Sequence, residues 1–452
     1  MSTNNRSSFS GKLGYVLAVA GSAVGMGNIW RFPYLAAKHG GAIFLFVYII
    51  LAATFGFAMV VTETALGRKS RKSPIGAFLS YGRNGFNLFG GWINAIVPIL
   101  IIPYYSVIGG WVSKYLFGYL RGETTAMAQS EYFSSFISNS VTPEIWFIFF
   151  SLLTLGVIVL GVEKGIERFS KIMMPALLVL SVIISIYSLT RPNAVLGLKY
   201  LFVPNFKDFS LMTVVAALGQ MFYSLSIAMG ILITYGSYMK SDVDIEKATR
   251  QIEVFDTGIA ILAAVMIIPA VFSYSGGDSS ALSAGPGLMF VTLPKMFASM
   301  TGGRFFAILF FVLVLFAALT SSISLAETCV STFMDEFHIK RLPAVGILAV
   351  IMLVLGSLSA LGYGALSGTT IIGMQFLDFF DFLTNSLMMP ISALCISIFV
   401  VYRIGLKEVS DEVKLSSVFR AEKYHAFILK YVSPICLLVI FVYSMGSAFG
   451  FF

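Results

Sequence analysis

The sequence predicts an all-α integral membrane protein with eleven transmembrane helices. Only 12% of its 452 residues are charged and 58% are hydrophobic, whereas about a quarter of the residues of a soluble domain are charged. A transmembrane helix needs about 20 largely apolar residues. Eleven windows with almost no charge meet this need and are called spans 1 to 11: residues 12–31, 38–63, 83–114, 144–163, 171–191, 208–240, 256–278, 304–327, 341–362, 369–403 and 430–452. A β-barrel would show short alternating segments instead.

The charge distribution predicts the orientation in the membrane. A net charge of +8 would suggest a nucleic-acid partner in a soluble protein, but here the basic residues collect in alternate connections, as the positive-inside rule requires. The densest basic run, Arg68–Lys72, follows span 2, and the connection after span 3 carries Glu123, Glu131 and Glu144. We therefore expect a cytoplasmic N-terminus, an extracellular C-terminus and no nucleic-acid partner.

Neither disulfides nor an enzyme site are indicated. All three cysteines, Cys329, Cys395 and Cys436, fall in apolar spans, which favours small packing residues over a disulfide framework. No metal-binding cluster, phosphate loop or nucleophile–base pair is visible, so we expect no enzyme. No cleavable signal precedes span 1, which we expect to be retained.

Span 1 contains a glycine-rich interruption, Gly21–Pro33. Each glycine weakens a helix by about 1 kcal/mol relative to alanine, and unwound backbone at the midplane frees carbonyls for a cation and N–H groups for a carboxylate. Close helix packing through Gly21 and Gly25 is the alternative. Asn28 and Arg31, which follow at once, favour a binding site.

Span 6 has a comparable interruption around Ser224 and Ser226. Taken alone it is weak, because a serine in a membrane helix often bonds its own i−4 carbonyl. Spans 1 and 6 each begin a set of five, however, and inverted-repeat transporters bind their substrate where two discontinuous helices meet. We therefore expect one repeat over residues 1–190, a second over 191–405, and an accessory span in 406–452.

Other polar groups lie deep in apolar spans. In span 8, the Thr320 and Ser321 hydroxyls with the Ala317 carbonyl suit a hard cation, and packing serines are an equal alternative. A tyrosine as deep as Tyr105 needs a hydrogen-bond partner, which a substrate carboxylate would supply. The connection between spans 7 and 8 is either a cap over the substrate path or a linker.

Five acidic residues also lie within or near these spans: Glu63, Asp256, Glu327, Asp378 and Asp381. Charge at this depth is costly and usually meets an ion, a cavity or a partner. We expect Asp256 to bind a cation, Glu63 and Glu327 to accept hydrogen bonds from freed backbone N–H groups, Asp381 to pair with Arg31, and Asp378 to be a solvated helix end.

These motifs resemble those of the neurotransmitter:sodium symporter family. The run Lys12–Gly41 resembles its first span, and further motifs follow in family order: Glu63 with Leu66-Gly67-Arg68, Tyr104-Tyr105, Ser224-Leu225-Ser226, Gly285-Pro286-Gly287 and Thr320-Ser321-Ser322. Eleven spans are typical of the bacterial branch. The resemblance implies the LeuT fold, with unwound helices 1 and 6, in a bacterial inner membrane.

By position, the resemblance implies sites for two sodium ions and one substrate. The first ion would be bound by Ala23, Asn28, Ser224 and Asp256, and the second by Gly21, Val24, Ala317, Thr320 and Ser321. The substrate would be bound by Ala23, Met26, Gly27, Ile101, Tyr105, Tyr223, Ser224, Ser226, Met229 and Leu325.

The resemblance also implies gates. Arg31 and Asp381 would form the outer gate, with Tyr223 as a lid. Arg6, Tyr238 and Asp335 would form the inner gate, with support from Trp30 and Glu63. Gly165 and Pro175 would mark a segment of span 5 whose unwinding hydrates the second sodium site.

The implied activity is sodium-coupled import of hydrophobic, aliphatic and aromatic L-amino acids by alternating access. Asp256 stands where many members have asparagine, so its charge would replace chloride. Met229 stands where an aromatic residue often lies, and its flexible thioether favours a broad specificity. A proton-driven permease is the first alternative and a channel or membrane enzyme the second.

Overall fold

The computed structural model describes residues 7–276 and 286–448. The predicted Arg6 and Gly285 lie outside these residues. The described part consists of helices joined by turns and loops, and its β-structure is limited to a single bridge between Ile371 and Met374. The predicted all-α membrane class is therefore confirmed.

Each predicted window is occupied by one helix or by a pair of helices. Nine helices in the described part are continuous and apolar enough to cross a membrane: Ala42–Ser70, Gly85–Arg121, Thr142–Val159, Val162–Leu189, Ile245–Ser275, Gly303–Phe337, Arg341–Leu361, Phe376–Ile404 and Glu422–Gly446. Span 1 consists of Lys12–Ala23 and Gly27–Lys38, bent by 54°. Span 6 consists of Leu211–Ser224 and Ile231–Ser237. Because span 6 reaches a membrane-spanning length only with both halves, the count of eleven crossings stays a prediction.

Shorter helices form the connections: Pro74–Leu79, Thr124–Met127, Tyr132–Ser138, Ala194–Phe202, Phe206–Asp208, Leu288–Thr292 with Leu293–Ser299, and Leu406–Lys414. Several helices extend beyond their apolar windows. Span 7 begins at Ile245, where the Asp244 side chain accepts a hydrogen bond from the Lys247 N–H at 2.9 Å. A window drawn between charged residues misses such ends, because the helix continues into the charged boundary of the membrane.

The two interruptions differ in backbone conformation. In span 1 the helix stops at Val24, whose ψ of 85° is not helical, and it resumes after Met26. In span 6 three residues are left-handed, namely Ser226 (φ 55°), Ala228 (φ 61°) and Gly230 (φ 69°). Left-handed conformations at non-glycine residues cost of order 1–3 kcal/mol each. Neighbouring spans must therefore hold this segment in place.

Span 2 packs against the second half of span 6 at glycine contacts. A Cβ added to Gly67 would lie 2.0 Å from the Ile233 carbonyl oxygen, and one added to Gly236 would lie 2.5 Å from that of Thr64. The two backbones are thus in direct contact. This contact fixes the inner half of span 6 against a continuous helix.

We expect Gly67→Ala to lower the melting temperature of the purified protein by several degrees. The added methyl must push two backbones apart, and such overpacking costs about 1–3 kcal/mol. Gly156→Ala is the matched control, since its Cβ would meet no atom within 4 Å. Fluorescence-detected gel filtration after heating measures the melting temperatures of the two variants. Equal melting temperatures in Gly67→Ala and Gly156→Ala would contradict the contact.

Candidate functional site

A buried cavity lies where the interruptions of spans 1 and 6 face spans 3 and 8. Its wall contains all ten residues predicted to bind substrate: Ala23, Met26, Gly27, Ile101, Tyr105, Tyr223, Ser224, Ser226, Met229 and Leu325. Six further residues complete the wall: Ser22, Gly25, Asn28, Ile231, Ser321 and Ser324. Residues more than 300 positions apart in the chain thus surround one space.

One end of the cavity is polar and is formed by span 1 and Tyr105. The Met26 N–H lies 3.5 Å from the Tyr105 hydroxyl. A Cβ at Gly25 would lie 2.7 Å from the Ser321 hydroxyl and 3.4 Å from that of Tyr105. Only glycine leaves space here, so a ligand can reach backbone N–H groups that an alanine would cover.

Beside this end, four side chains from four different spans form an oxygen-rich cluster. Asp256 Oδ1 accepts hydrogen bonds from Asn28 Nδ2 and from the Ser224 hydroxyl, each at 2.7 Å. Tyr48 donates to Asp256 Oδ2 at 2.9 Å, and Ser224 also lies 3.1 Å from Asn28 Oδ1. Asp256 is completely buried. The oxygens of Asn28, Ser224 and Asp256 suit a hard cation.

A second set of oxygens lies between span 8 and the first half of span 1. The Thr320 hydroxyl lies 3.1 Å from the Ala317 carbonyl, and the Ser321 hydroxyl donates to the Ser22 carbonyl at 3.0 Å. A Cβ at Gly21 would lie 3.3 Å from Thr320 Cβ. Val24, the remaining predicted ligand, is buried at the interruption. The five residues predicted for the second sodium ion therefore lie on two helices in close contact.

Side chains of other spans satisfy the interrupted backbone. The Ala228 N–H donates to Glu63 Oε1 at 2.8 Å, and its carbonyl accepts from Ser392 at 3.0 Å. Gln220 Nε2 donates to the Gly27 carbonyl at 3.2 Å. The prediction that Glu63 accepts a bond from a freed N–H group is confirmed.

Above the cavity, Arg31 and Asp381 do not form a direct ion pair in the described structure. The Arg31 guanidinium lies 5.4 Å from the centre of the Tyr223 ring, and Asp381 accepts from Asn385 at 2.6 Å. Tyr104, the neighbour of Tyr105, contacts Thr384 at 3.3 Å. In the part of the chain that the structure describes, no salt bridge thus joins the two predicted gate residues.

At the opposite end, Tyr238 donates to Glu327 at 2.7 Å, and Asp335 accepts from the Ser73 N–H at 2.6 Å. The expectation that Glu327 accepts from a freed N–H group is wrong, because its carboxylate pairs with the Arg341 guanidinium. The negative charge of the buried Glu327 is therefore balanced by Arg341, the first residue of span 9.

The expectation that Trp30 supports the inner gate is also wrong. Its ring packs against Phe290, with 6.3 Å between centroids. Phe290 precedes span 8, whereas Asp335 lies near the other end of this 35-residue helix, roughly 50 Å long at 1.5 Å per residue. Glu63, named for the same gate, bonds to the midplane interruption instead.

The start of span 5 is helical in this structure. Gly165 lies in a wide helical turn, Val162–Glu167, and Pro175 lies inside the helix Arg168–Leu189. A Cβ at Gly165 would lie 2.3 Å from the Val157 carbonyl oxygen. The predicted unwinding of this segment stays a prediction.

Sequence reasoning missed Tyr48, Ser22, Ser324 and Gln220. Tyr48 carried a usable signal, since it is a tyrosine deep in an apolar window that needs a partner. The Ser22 and Ser324 hydroxyls lie 2.7 Å apart in the cavity wall, and Gln220 holds the Gly27 carbonyl. For these three, only the contact between helices reveals the role.

Comparison with known proteins agrees with this geometry. The model of the Sodium:neurotransmitter symporter family matches residues 6–133 and 127–449. The uncharacterized sodium-dependent transporter YhdH of Bacillus subtilis is 33% identical over 99% of both chains, and a Haemophilus influenzae sodium-dependent transporter is 32% identical over 98% of this chain and all of its own. The crystal structure of MhsT in complex with L-phenylalanine is similar with a TM-score of 0.87 and 37% identity, covering 97% of this chain and 100% of MhsT.

Proposed function

The chain belongs to the sodium:neurotransmitter symporter family, and we propose that it imports hydrophobic, aliphatic and aromatic L-amino acids together with two sodium ions and without chloride. As a family member it is a sodium-coupled transporter, not an enzyme. The observation that carries the proposal is the single cavity that adjoins both the cluster around Asp256 and the interrupted backbone of span 1.

The charge balance around Asp256 supports a first sodium ion and independence from chloride. The groups bonded to this carboxylate, Asn28, Tyr48 and Ser224, are all neutral. A buried carboxylate with only neutral partners is expensive in a membrane, and a sodium ion beside it restores neutrality. A chloride ion at the same place would add a second negative charge. The Ala23 carbonyl and the substrate carboxylate complete the proposed ligand set.

The second sodium ion binds between spans 1 and 8. Its ligands are the carbonyl oxygens of Gly21, Val24 and Ala317 and the hydroxyls of Thr320 and Ser321. None of these groups titrates near neutral pH, which favours sodium over a proton as the coupled ion. The close approach of Gly21 to Thr320 supports a site that a small cation bridges.

The substrate lies with its carboxylate at the polar end and its side chain at the apolar end. The N–H groups of Met26 and Gly27 and the Tyr105 hydroxyl hold the carboxylate, and the carbonyls of Ala23, Tyr223 and Ser224 hold the ammonium group. Ile101, Met229 and Leu325 surround the side chain. Because L-phenylalanine is bound in the similar MhsT structure, an aromatic side chain is included in the proposed range.

Alternating access uses the two ends of the bundle. Arg31 and Asp381 pair across the outer opening after Tyr223 covers the substrate, and Tyr238 and Asp335 belong to the inner gate. Unwinding between Gly165 and Pro175 admits water to the second sodium site. Residues 1–190 and 191–405 act as the inverted repeats, with 406–452 as an accessory element. The bacterial inner membrane holds the chain with its N-terminus in the cytoplasm and its C-terminus outside.

We expect proteoliposomes containing the full chain to accumulate labelled L-leucine, L-phenylalanine and L-tryptophan under an inward sodium gradient. Choline in place of sodium should abolish uptake, and gluconate in place of chloride should leave it unchanged. Uptake driven by a proton gradient without sodium would refute sodium coupling. Collapse in gluconate would refute chloride independence alone, and transport of leucine without competition from either aromatic amino acid would refute the broad specificity.

Replacing the charge at the first sodium site should weaken sodium binding. We expect Asp256→Asn to raise the sodium concentration for half-maximal phenylalanine binding at least about tenfold, a change of about 1.4 kcal/mol. The amide removes the negative charge beside the ion, and opposite unit charges about 4 Å apart attract by roughly 4 kcal/mol at an effective dielectric constant of about 20. A scintillation proximity assay with labelled L-phenylalanine measures this sodium concentration. Asp378→Asn is the control, because Asp378 lies in an exposed position at the start of span 10; equal shifts in both variants would argue against a local role.

A further inference from the structure

A groove with a volume of about 500 Å³ lies between spans 5 and 7 on the side of the helix bundle that faces lipid. It is separate from the buried cavity described above. Its apolar wall is formed by Leu178, Phe255, Gly258 and Leu262. Val254, on the same wall, is 73% exposed. The surface of a membrane helix faces acyl chains at this depth, so the groove is accessible to lipid and not to bulk water.

The groove is polar at one end and closed at the other. Lys247 and Arg250 line the end where span 7 begins, and both are exposed. At the far end the Ser185 hydroxyl donates to the Leu262 carbonyl at 3.1 Å, which joins the two spans. From Lys247 to Leu262 span 7 rises roughly 22 Å, and one leaflet with its headgroups is about 20–22 Å thick. The groove therefore has the length of one phospholipid.

The cationic end retains positive character despite nearby acids. Glu246 pairs with Arg250 at 3.1 Å, but its other oxygen accepts from the Arg420 N–H at 2.8 Å. Glu246 and Glu253 are only 7% and 8% exposed and do not line the groove. The Arg250 side chain is 58% exposed, so its unbonded donors remain available beside Lys247.

We propose that this groove binds one anionic phospholipid, with its phosphate at Lys247 and Arg250 and an acyl chain along Gly258. Basic pockets between helices at the cytoplasmic surface bind anionic headgroups, and this end is cytoplasmic in the orientation proposed above. The inference rests on the proposed orientation of the chain, but not on the proposed substrate or ions. Because span 5 forms one wall, a bound lipid stabilises the packing of span 5 against span 7.

Gly258 provides a direct test, because a Cβ there would meet no atom within 4 Å. Gly258→Phe fills the groove without disturbing helix packing. Gly346→Phe, on the exposed surface of span 9, is the matched control, since its Cβ also meets nothing within 4 Å. Lys247→Gln removes a positive charge and leaves the groove open. If Lys247→Gln does not fold, Arg250→Gln replaces it in the experiment.

Native mass spectrometry measures the fraction of the purified protein that carries a lipid adduct. The protein is titrated separately with phosphatidylglycerol and with phosphatidylcholine of the same acyl chains. We expect at least a fivefold preference for phosphatidylglycerol, a loss of at least threefold of its adduct in Lys247→Gln and in Gly258→Phe, and no change in Gly346→Phe. Equal binding of both lipids to the unaltered chain, or equal adducts in the two phenylalanine variants, would overturn the proposal.

Discussion

Bare peptide groups at membrane depth are the constraint on which this structure depends. Lipid offers no hydrogen bonds, so an unwound segment is stable only where protein groups satisfy its backbone. At the interruption of span 6, Ala228 receives both bonds it needs, from Glu63 and from Ser392. Spans 2 and 10 thereby hold a strained segment that would otherwise return to helix. Gln220 does the same for the Gly27 carbonyl in span 1.

Once these segments are fixed, the same packing creates an unbalanced negative charge. Asp256 is held by donors from spans 1, 2 and 6, and none of these donors carries a positive charge. Glu327, which is also completely buried, has its charge balanced within the protein by Arg341, and Glu63, equally buried, accepts a hydrogen bond from the Ala228 N–H. In the proposed function a transported ion neutralises Asp256, whereas the fixed residue Arg341 neutralises Glu327. This difference would distinguish a coupling site from a structural one.

The sequence was most informative where composition and motif spacing act locally. Each apolar window contains helix in the structure, and glycines with neighbouring polar residues mark both interruptions. The ten cavity residues follow from family resemblance and not from physics alone. The prediction for Glu327 is wrong because an acidic residue in a sequence does not reveal its partner, and Arg341 lies at the boundary of another apolar window. Trp30 was misassigned although it adjoins Arg31 and must share its side of the bundle. The depth of Tyr48 in an apolar window indicates that it needs a partner, but the sequence does not identify Asp256, more than 200 residues away, as that partner.

Coupling follows from the sharing of one interruption by three ligands. In the proposed arrangement the segment Gly21–Asn28 contributes to both sodium sites and to the substrate site, so each ligand restrains backbone that the other two also need. A ligand that binds an already restrained segment loses less conformational entropy, which makes its binding favourable only with its companions. The thermodynamic consequence is reciprocal: sodium raises substrate affinity as much as substrate raises that of sodium. A helix without the interruption would offer none of these groups, so the proposed coupling requires that span 1 leaves the helical conformation at Val24.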